Sequence, residues 1–253
     1  MERVETAPST TAALSFAGVG KRFATGTLAL HGVDLELAAG EFVSVVGPSG
    51  CGKSTLLRLA SGLSRPTDGE VRTGPGEVGY VFQDPTLLPW RTVARNVELA
   101  AELKGLSRAE RRRRVAAAIE LVGLGGFERQ LPRMLSGGMR MRVSLARSLL
   151  LDPDLCLFDE PFGALDELTR ARLNTELLQL YAARRFTGLF VTHSVAEAVF
   201  LSTRVVVMSP RPGRVVADVP VPFGYPRPPD LRFSAEFTGL AARVSAALRE
   251  DER

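Results

Sequence analysis

The residues best suited to chemistry in this chain form a glycine-rich run that ends in Gly-Lys-Ser. A glycine, four free positions and then Gly-Lys-Ser is a pattern typical of loops that hold the phosphates of a nucleotide. Glycines let backbone N–H groups approach a polyphosphate, because no side chain stands between them. We expect Lys53 to reach the terminal phosphates and the Ser54 hydroxyl to hold Mg²⁺. The run consists of Gly47, Pro48, Ser49, Gly50, Cys51, Gly52, Lys53 and Ser54, and Thr55 follows it.

The segments on both sides of this loop support the same interpretation. The apolar run 42–46 predicts a buried strand, and the run 54–60 predicts the first turns of a helix. A helix that begins at the loop directs the positive end of its dipole to the point where the loop amides gather. A glycine-rich turn that arises by chance would lack these flanking elements, so we favour a polyphosphate site.

A pair of carboxylates follows another apolar run. Asp159 and Glu160 come directly after 155–158, which reads as a central parallel strand. Carboxylates at the carboxyl end of such a strand point into the crevice where ligands bind. We expect Asp159 to anchor Mg²⁺ and Glu160 to accept a proton from an attacking water. An ordinary acidic pair at a strand end is the alternative.

Composition limits the classes of function that the chain can have. The 253 residues carry 45% hydrophobic and 24% charged residues and a net charge of +4, which are ordinary globular values. The basic excess is scattered and only 7% of residues are aromatic, whereas a nucleic-acid-binding protein concentrates basic residues on one face. We therefore expect no nucleic-acid partner. Two cysteines in unsuitable positions predict no disulfide, and no stretch has the length of a membrane-spanning helix.

Strand-like and helix-like segments alternate along the chain, which predicts an α/β fold with a mostly parallel sheet. The segments 14–23 and 28–37 read as early strands that form an antiparallel β edge, and residues 84–145 read as an α-helical insert. After Ser209 the chain becomes proline-rich and reads as irregular, before a short helix at 240–248. We expect a flexible tail at 1–11, which has no signal-peptide pattern, a core domain at 12–222 and a C-terminal extension at 223–253.

The run Leu135-Ser136-Gly137-Gly138-Met139-Arg140 strongly resembles the signature sequence of ATP-binding-cassette (ABC) ATPases. The resemblance extends from residue 14 to about 222 and includes the family's motifs in order. It implies a P-loop NTPase (RecA-like) core that binds ATP and Mg²⁺. Gly137 and Gly138 open a helix, and such a helix start favours an anion.

The resemblance also implies a role for several single residues. Phe23 would stack on adenine, although a core aromatic is the alternative, and Gln83 would bridge Mg²⁺ and the helical insert. His193 would contact the γ-phosphate as a switch histidine. Asp166 would lie in a loop that crosses to a second subunit. The family forms a head-to-tail homodimer in which Ser136, Gly137 and Gly138 of one subunit close over ATP held by the other.

The sequence indicates the membrane partner and the transported solute less directly. Trp90 lies in a proline-stiffened apolar loop, which predicts either a docking rim for a membrane partner or packing into the insert. The runs 87–97 and 208–214 are similar to importer ATPases for nitrate, sulfonates and taurine, and thiamine-precursor importers share the pattern. The resemblance implies two transmembrane permease subunits, an indirect solute-binding protein and a place at the cytoplasmic face of the cell membrane.

Two other classes of function compete with a transport ATPase. One is a soluble cassette ATPase that acts on ribosomes or nucleic acid, but such relatives carry two cassettes or a long insert. The other is a nucleotide-binding module without turnover, which the set Lys53, Asp159, Glu160 and His193 disfavours. Three positions depart from the commonest family pattern: Met141, Gly163 and Ser194.

Overall fold

Two β-sheets organise the chain in the computed structural model, which describes residues 12–250. The expected tail at 1–11 lies outside the described residues. The strands are β1 (Ala12–Arg22), β2 (Leu28–Ala38), β3 (Phe42–Val46), β4 (Asp68–Thr73), β5 (Val78–Val81), β6 (Leu155–Asp159), β7 (Thr187–Val191), β8 (Arg204–Met208) and β9 (Val215–Pro220). The helices are α1 (Lys53–Ala60), α2 (Val93–Leu103), α3 (Arg108–Leu121), α4 (Gly137–Leu149), α5 (Glu167–Arg184), α6 (Val195–Leu201) and α7 (Ala235–Glu250).

The larger sheet has six strands in the order β5-β6-β7-β3-β8-β9. Its strands are parallel except for β9, which pairs antiparallel with β8. The five residues of β3 are all buried, as are the five of β7, because helices cover both faces of a central parallel strand. The expected α/β fold with a mostly parallel sheet is confirmed, and the phosphate loop leaves the carboxyl end of a central strand.

The smaller sheet has three antiparallel strands in the order β2-β1-β4. The antiparallel pairing of the two early strands is therefore confirmed, but they form a sheet of their own rather than the edge of the main one. The antiparallel edge strand of the main sheet is β9. It lies in the proline-rich stretch that we expected to be irregular, so that expectation is wrong for residues 215–220.

Three helices, α2, α3 and α4, lie between β5 and β6. They pack through buried apolar residues such as Val97, Ile119 and Leu145. Ser107 caps α3 by accepting a hydrogen bond from the Glu110 backbone N–H at 3.2 Å. The Glu110 carboxylate binds Arg113 and Arg114, whose hydrogen bonds lower its pKa to about 2. The helical segment thus follows strand β5 and returns the chain to β6.

The C-terminal helix α7 is longer than the short helix expected at 240–248. Its residues Phe237, Leu240 and Val244 are buried in the same core as α6 and the main sheet. No helix within the described range, residues 12–250, is both long and apolar enough to cross a membrane.

Candidate active site

The phosphate loop connects β3 to α1 through two residues with left-handed backbone. Gly50 and Gly52 have φ angles of 76° and 113°. A Cβ atom on Gly52 would lie 2.6 Å from Leu30 Cδ2 and 3.0 Å from the Ala29 carbonyl oxygen. Both the angle and the close neighbours therefore require glycine at position 52. The loop amides and the start of α1 face the same cleft.

Lys53 is tied to the loop that precedes it. Its ammonium donates hydrogen bonds to the carbonyl oxygens of Gly47 at 2.8 Å and Pro48 at 2.9 Å. Lys53 is only 6% exposed, and these carbonyls compensate the burial of its charge. Cys51 is buried beside it, and burial raises the pKa of the Cys51 thiol. Both cysteines are free and buried in the structure.

A cleft of about 330 Å³ lies over this loop. Such a volume is within the range of small-molecule sites. Phe23 lines the cleft and is 37% exposed, with Lys21 Nζ 5.6 Å from the centre of its ring. Phe23 is therefore not a core residue, and its ring is available to a ligand. The lining residues are Phe23, Thr25, Thr27, Ala29, Ser49, Gly50, Gly52, Lys53, Ser54, Thr55, Glu160 and Arg211.

The expected magnesium ligands Ser54 and Asp159 meet at one side of the cleft. The Ser54 hydroxyl donates a hydrogen bond to Asp159 Oδ1 at 2.8 Å, and the Tyr80 hydroxyl donates to Asp159 Oδ2 at 3.2 Å. Burial and the Asp159 charge raise the pKa of Tyr80 far above its usual value, so the phenol keeps its proton. A hydroxyl beside a carboxylate is the hard-oxygen set that Mg²⁺ takes when substrate phosphates supply other ligands. The residues present therefore fit the ion.

Glu160 follows β6 and lies beside the histidine that follows β7. Its Oε2 is 3.2 Å from His193 Nδ1. The backbone of Glu160 is left-handed, with a φ of 45°, and its N–H donates to the Val191 carbonyl oxygen at 2.9 Å. This anchored turn directs the carboxylate toward the cleft rather than into the sheet. The structure thus brings Glu160, His193 and the phosphate loop together.

The structure connects Gln83 to the site less directly than it connects Ser54, Asp159, Glu160 and His193. It is exposed and lies two residues beyond β5, whose Val81 pairs with Phe158 of β6. By continuation of this register Gln83 comes just beyond the level of Asp159, but it does not line the cleft over the phosphate loop in the described part of the chain.

The signature segment (135–140) lies at a second cleft, of about 340 Å³. Ser136 caps α4 by accepting a hydrogen bond from the Met139 N–H at 3.2 Å. A Cβ atom on Gly138 would lie 2.9 Å from Thr169 Cγ2, so α4 approaches α5 closely at this point. Ser136 and Gly138 line this second cleft, which shares no residue with the first. The two helix N-termini that favour an anion, those of α1 and α4, therefore lie at separate places on one chain.

Asp166 is exposed at the start of α5. Its carboxylate accepts a hydrogen bond from the Thr169 backbone N–H at 3.0 Å and caps the helix. This bond lowers the pKa of Asp166 below its ordinary value, because a backbone donor favours the ionised form. Leu168, two residues on, is 84% exposed, so this turn presents both a charge and an apolar side chain to the outside.

Two residues that bond to Asp159 or to the phosphate loop were not expected from the sequence. Tyr80 holds Asp159, as described above. The guanidinium of Arg211 donates from Nε and Nη2 to the Gly50 carbonyl oxygen at 3.1 and 3.0 Å. Arg211 belongs to the run 208–214, which marked the chain's similarity to a group of importer ATPases, but that signal does not indicate a contact with the phosphate loop.

Trp90 projects from a rigid loop. The Asn96 side chain accepts from the Leu88 N–H at 2.7 Å and donates to the carbonyl oxygens of Leu88 and Arg91 at 3.1 and 2.9 Å. Trp90 itself is 74% exposed. The alternative in which Trp90 packs into the helical insert is therefore wrong.

The fold and the first cleft define the chain as a P-loop nucleoside triphosphatase, because the loop opens at the carboxyl ends of parallel strands, where such proteins bind ligands. A family model described as ABC transporter matches residues 30–163. The chain therefore belongs to the ABC transporter family, and it is an ATP-binding ATPase of that family.

Individual relatives agree with this assignment. An aliphatic sulfonates import ATP-binding protein of Pseudomonas syringae pv. syringae is 51% identical, covering 82% of this chain and 85% of its own. An uncharacterized ABC transporter ATP-binding protein of Methanocaldococcus jannaschii is 47% identical, covering 88% of this chain and 85% of its own. A solved dimeric ATP-binding cassette in a post-hydrolysis state with ADP and Pi has a TM-score of 0.74 and 32% identity, over 83% of this chain and 100% of that chain.

Proposed function

We propose that this chain is the ATP-hydrolysing subunit of an importer that takes up a small anionic solute of the sulfonate, nitrate or taurine type. The proposal rests on relatives that are named aliphatic sulfonates import ATP-binding proteins, at 45% to 51% identity over most of the chain. The subunit acts at the cytoplasmic face of the membrane, where it drives two permease subunits. A solute-binding protein delivers the solute to those permease subunits.

The separation of the two clefts supports a head-to-tail homodimer. A phosphate loop with no signature segment beside it is half of a nucleotide site. The signature segment of a second copy of the chain can supply the other half. Two-fold pairing brings the cleft at Lys53 of one copy against Ser136, Gly137 and Gly138 of the other and completes two sites at once. Asp166, exposed at the start of α5, lies at the contact between the copies.

The residues in and around the first cleft have separate tasks in binding ATP. Phe23 stacks on the adenine, and the amides of residues 49–55 and Lys53 hold the phosphates. Ser54 and Asp159, with Gln83, hold Mg²⁺, which neutralises phosphate charge when bound.

Hydrolysis depends on two groups beside those ligands. Glu160 accepts the proton of the attacking water, and His193 donates a hydrogen bond to the γ-phosphate. Loss of that phosphate removes contacts that join the two copies, so hydrolysis separates them.

The exposed Trp90 loop supports a docking role. An indole that is 74% exposed on a loop held by Asn96 presents a rigid aromatic surface, and such residues are enriched at interface centres. The loop begins shortly after Gln83, so a permease seated there lies next to the residue that we place at Mg²⁺.

The test of this function is solute uptake in a strain that lacks the gene. The strain is supplied with the wild-type chain or with Lys53→Ala, and uptake of labelled alkanesulfonate, taurine and nitrate is measured. We expect the wild-type chain to restore uptake of at least one of these solutes and Lys53→Ala to restore none. Uptake of all three at wild-type rates in the strain without the gene would contradict the proposal. Growth on sulfate and ammonium is the control for general fitness.

A further inference from the structure

The segment around the switch histidine is held by a buried carboxylate. Glu197 lies in the first turn of α6 and is only 5% exposed. Its Oε2 accepts a hydrogen bond from the Thr192 hydroxyl, and the same hydroxyl accepts one from the Ser194 N–H at 3.0 Å. Thr192 and Ser194 are the two neighbours of His193 in the chain. The orientation of the backbone at His193 therefore depends on where the Glu197 carboxylate sits.

The other oxygen of this carboxylate makes no hydrogen bond in the structure, although the buried Asn174 side chain, whose own Oδ1 is also unpartnered, lies beside the carboxylate. Glu197 Oε1 is buried without a hydrogen bond, and so is Nη2 of Arg232, among the side chains that the structure describes. A buried carboxylate, and a guanidinium with a buried unbonded nitrogen, are each costly unless a charge or hydrogen bond compensates them. Burial raises the pKa of Glu197 and lowers that of Arg232, as expected for two charges removed from water.

Both orphaned groups lie at the same face of α6. The Arg232 guanidinium carbon is 3.9 Å from the centre of the Phe200 ring, and Phe200 is three residues after Glu197. Side chains three apart share one face of a helix. Arg232 reaches this face from the short turn of helix at Pro229–Phe233, which precedes α7. The C-terminal extension thus places a positive charge beside the support of the switch segment.

A second arginine near Glu197 is already engaged elsewhere. Arg170 donates hydrogen bonds to the carbonyl oxygens of Phe162, Gly163 and Leu165 at 3.3, 3.4 and 2.9 Å. These bonds fix the loop that follows Glu160. Arg232, in contrast, keeps a donor without a partner. Of these two cations, Arg232 therefore keeps an unengaged donor, although it forms no hydrogen bond with Glu197 Oε1.

We propose that Glu197 is a positioning residue for His193, and that the nearby charge of Arg232 in the C-terminal extension, without a direct hydrogen bond to Glu197, favours the carboxylate orientation that this role requires. The inference rests on the proposed role of His193 in hydrolysis. Arg232 touches neither nucleotide nor reacting atoms in this account, so its loss changes the rate of hydrolysis and leaves nucleotide affinity unchanged. The C-terminal extension, which follows the core domain, becomes part of the ATPase mechanism.

The experiment compares Arg232→Met and Glu197→Gln in the full chain with Arg243→Met. Methionine keeps the stem of the side chain, and glutamine keeps an oxygen that accepts from Thr192. Arg243 is an exposed arginine on α7 and serves as the matched control. We expect kcat to fall at least about tenfold in the first two variants, since a misplacement of about 1 Å can cost about 10²-fold, with an unchanged Kd for ATP. The double variant is expected to be no slower than Glu197→Gln.

A second measurement follows His193 directly and does not depend on an activity assay. The chain has two histidines, His31 and His193, so imidazole NMR signals are simple to assign. We expect the His193 signals to shift or broaden in Arg232→Met and Glu197→Gln, while the His31 signals stay in place. If Arg232→Met unfolds, the His31 signals move as well, and Arg232→Gln replaces it.

Two results overturn the inference. One is a rate and a His193 spectrum in Arg232→Met that match Arg243→Met. The other is a double variant whose loss is the product of the single losses, because independent sites are additive.

His193→Ala separates this inference from the function on which it rests. If that variant hydrolyses ATP at the wild-type rate, the proposed role of His193 fails, and the inference fails with it. If His193→Ala is inactive and Arg232→Met behaves like the control, only the inference fails.

Discussion

Replacement of Glu160 by glutamine tests the role of one carboxylate, because the substitution preserves the backbone and the other contacts of this residue. Glutamine has the same length and branching, so the left-handed backbone at φ 45° is no more strained than before. The bond from the residue 160 N–H to the Val191 carbonyl oxygen is a backbone bond and stays. The side-chain contact with His193 Nδ1 at 3.2 Å is retained through the amide oxygen. We therefore expect no change in fold and unchanged affinity for ATP.

The change that remains is the loss of a proton acceptor. A positioned general base contributes about 10²- to 10⁴-fold to a rate, which corresponds to about 3 to 5 kcal/mol of activation free energy. The ionic part of the contact with His193 adds little to stability, about 1 kcal/mol or less, since the imidazole is half exposed. Glu160→Gln is thus predicted to lose at least about 99% of kcat while its thermal unfolding stays close to wild type.

The assay measures phosphate release and equilibrium ATP binding on the same preparation. Glu236→Gln is the matched control, because Glu236 is exposed on α7 and distant in sequence from the cleft. The control is expected to match wild type in both measurements. Hydrolysis by Glu160→Gln within about tenfold of wild type would refute the base assignment, since a positioned base contributes more than that.

The other predictions concern binding, the signature helix and docking. Lys53→Ala should weaken ATP binding at least about tenfold through loss of a charge-assisted contact, measured by titration calorimetry; equal affinity would count against the phosphate-loop role. Gly138→Ala should destabilise the chain by about 1 to 3 kcal/mol through overpacking, because its Cβ would meet Thr169 Cγ2 at 2.9 Å. Added Thr169→Ser removes that methyl and should restore stability, and no recovery would show that the conflict lies elsewhere. Trp90→Ala should leave the ATPase rate of the isolated chain unchanged and reduce solute uptake; a lower basal rate would contradict the docking role.

The phosphate loop and the acidic pair were predictable because their information is local. The strand, the glycines and Lys53 are contiguous, and Asp159 follows its own apolar strand. The residues that hold Asp159 and the phosphate loop in place are not local. Tyr80 meets Asp159 across 79 positions, and Arg211 meets Gly50 across 161. No pattern within one segment predicts a contact between residues so far apart.

Prediction of strands from local sequence patterns has the same limit, because some strands form only through pairing with distant segments. β4 is mostly exposed and carries charged residues, so it lacks the apolar alternation that predicts a strand. β9 lies among prolines and is a strand because β8 offers an open edge, with Val219 paired to Val205. Edge strands tolerate proline, and the available edge is known only from the fold. The mostly exposed strand at the margin of each sheet was therefore missed, whereas the buried β3 and β6 were predicted.

The most direct test of the account is whether ATP joins two copies through the signature segment. The molar mass of Glu160→Gln is measured by light scattering with ATP and Mg²⁺, and the measurement is repeated with Ser136→Arg added to the same chain. We predict that the mass doubles in the first case, and that in the second case the chain binds ATP but stays single. A chain that stays single in both cases, or a dimer that Ser136→Arg does not affect, would contradict an ATP site shared between two copies.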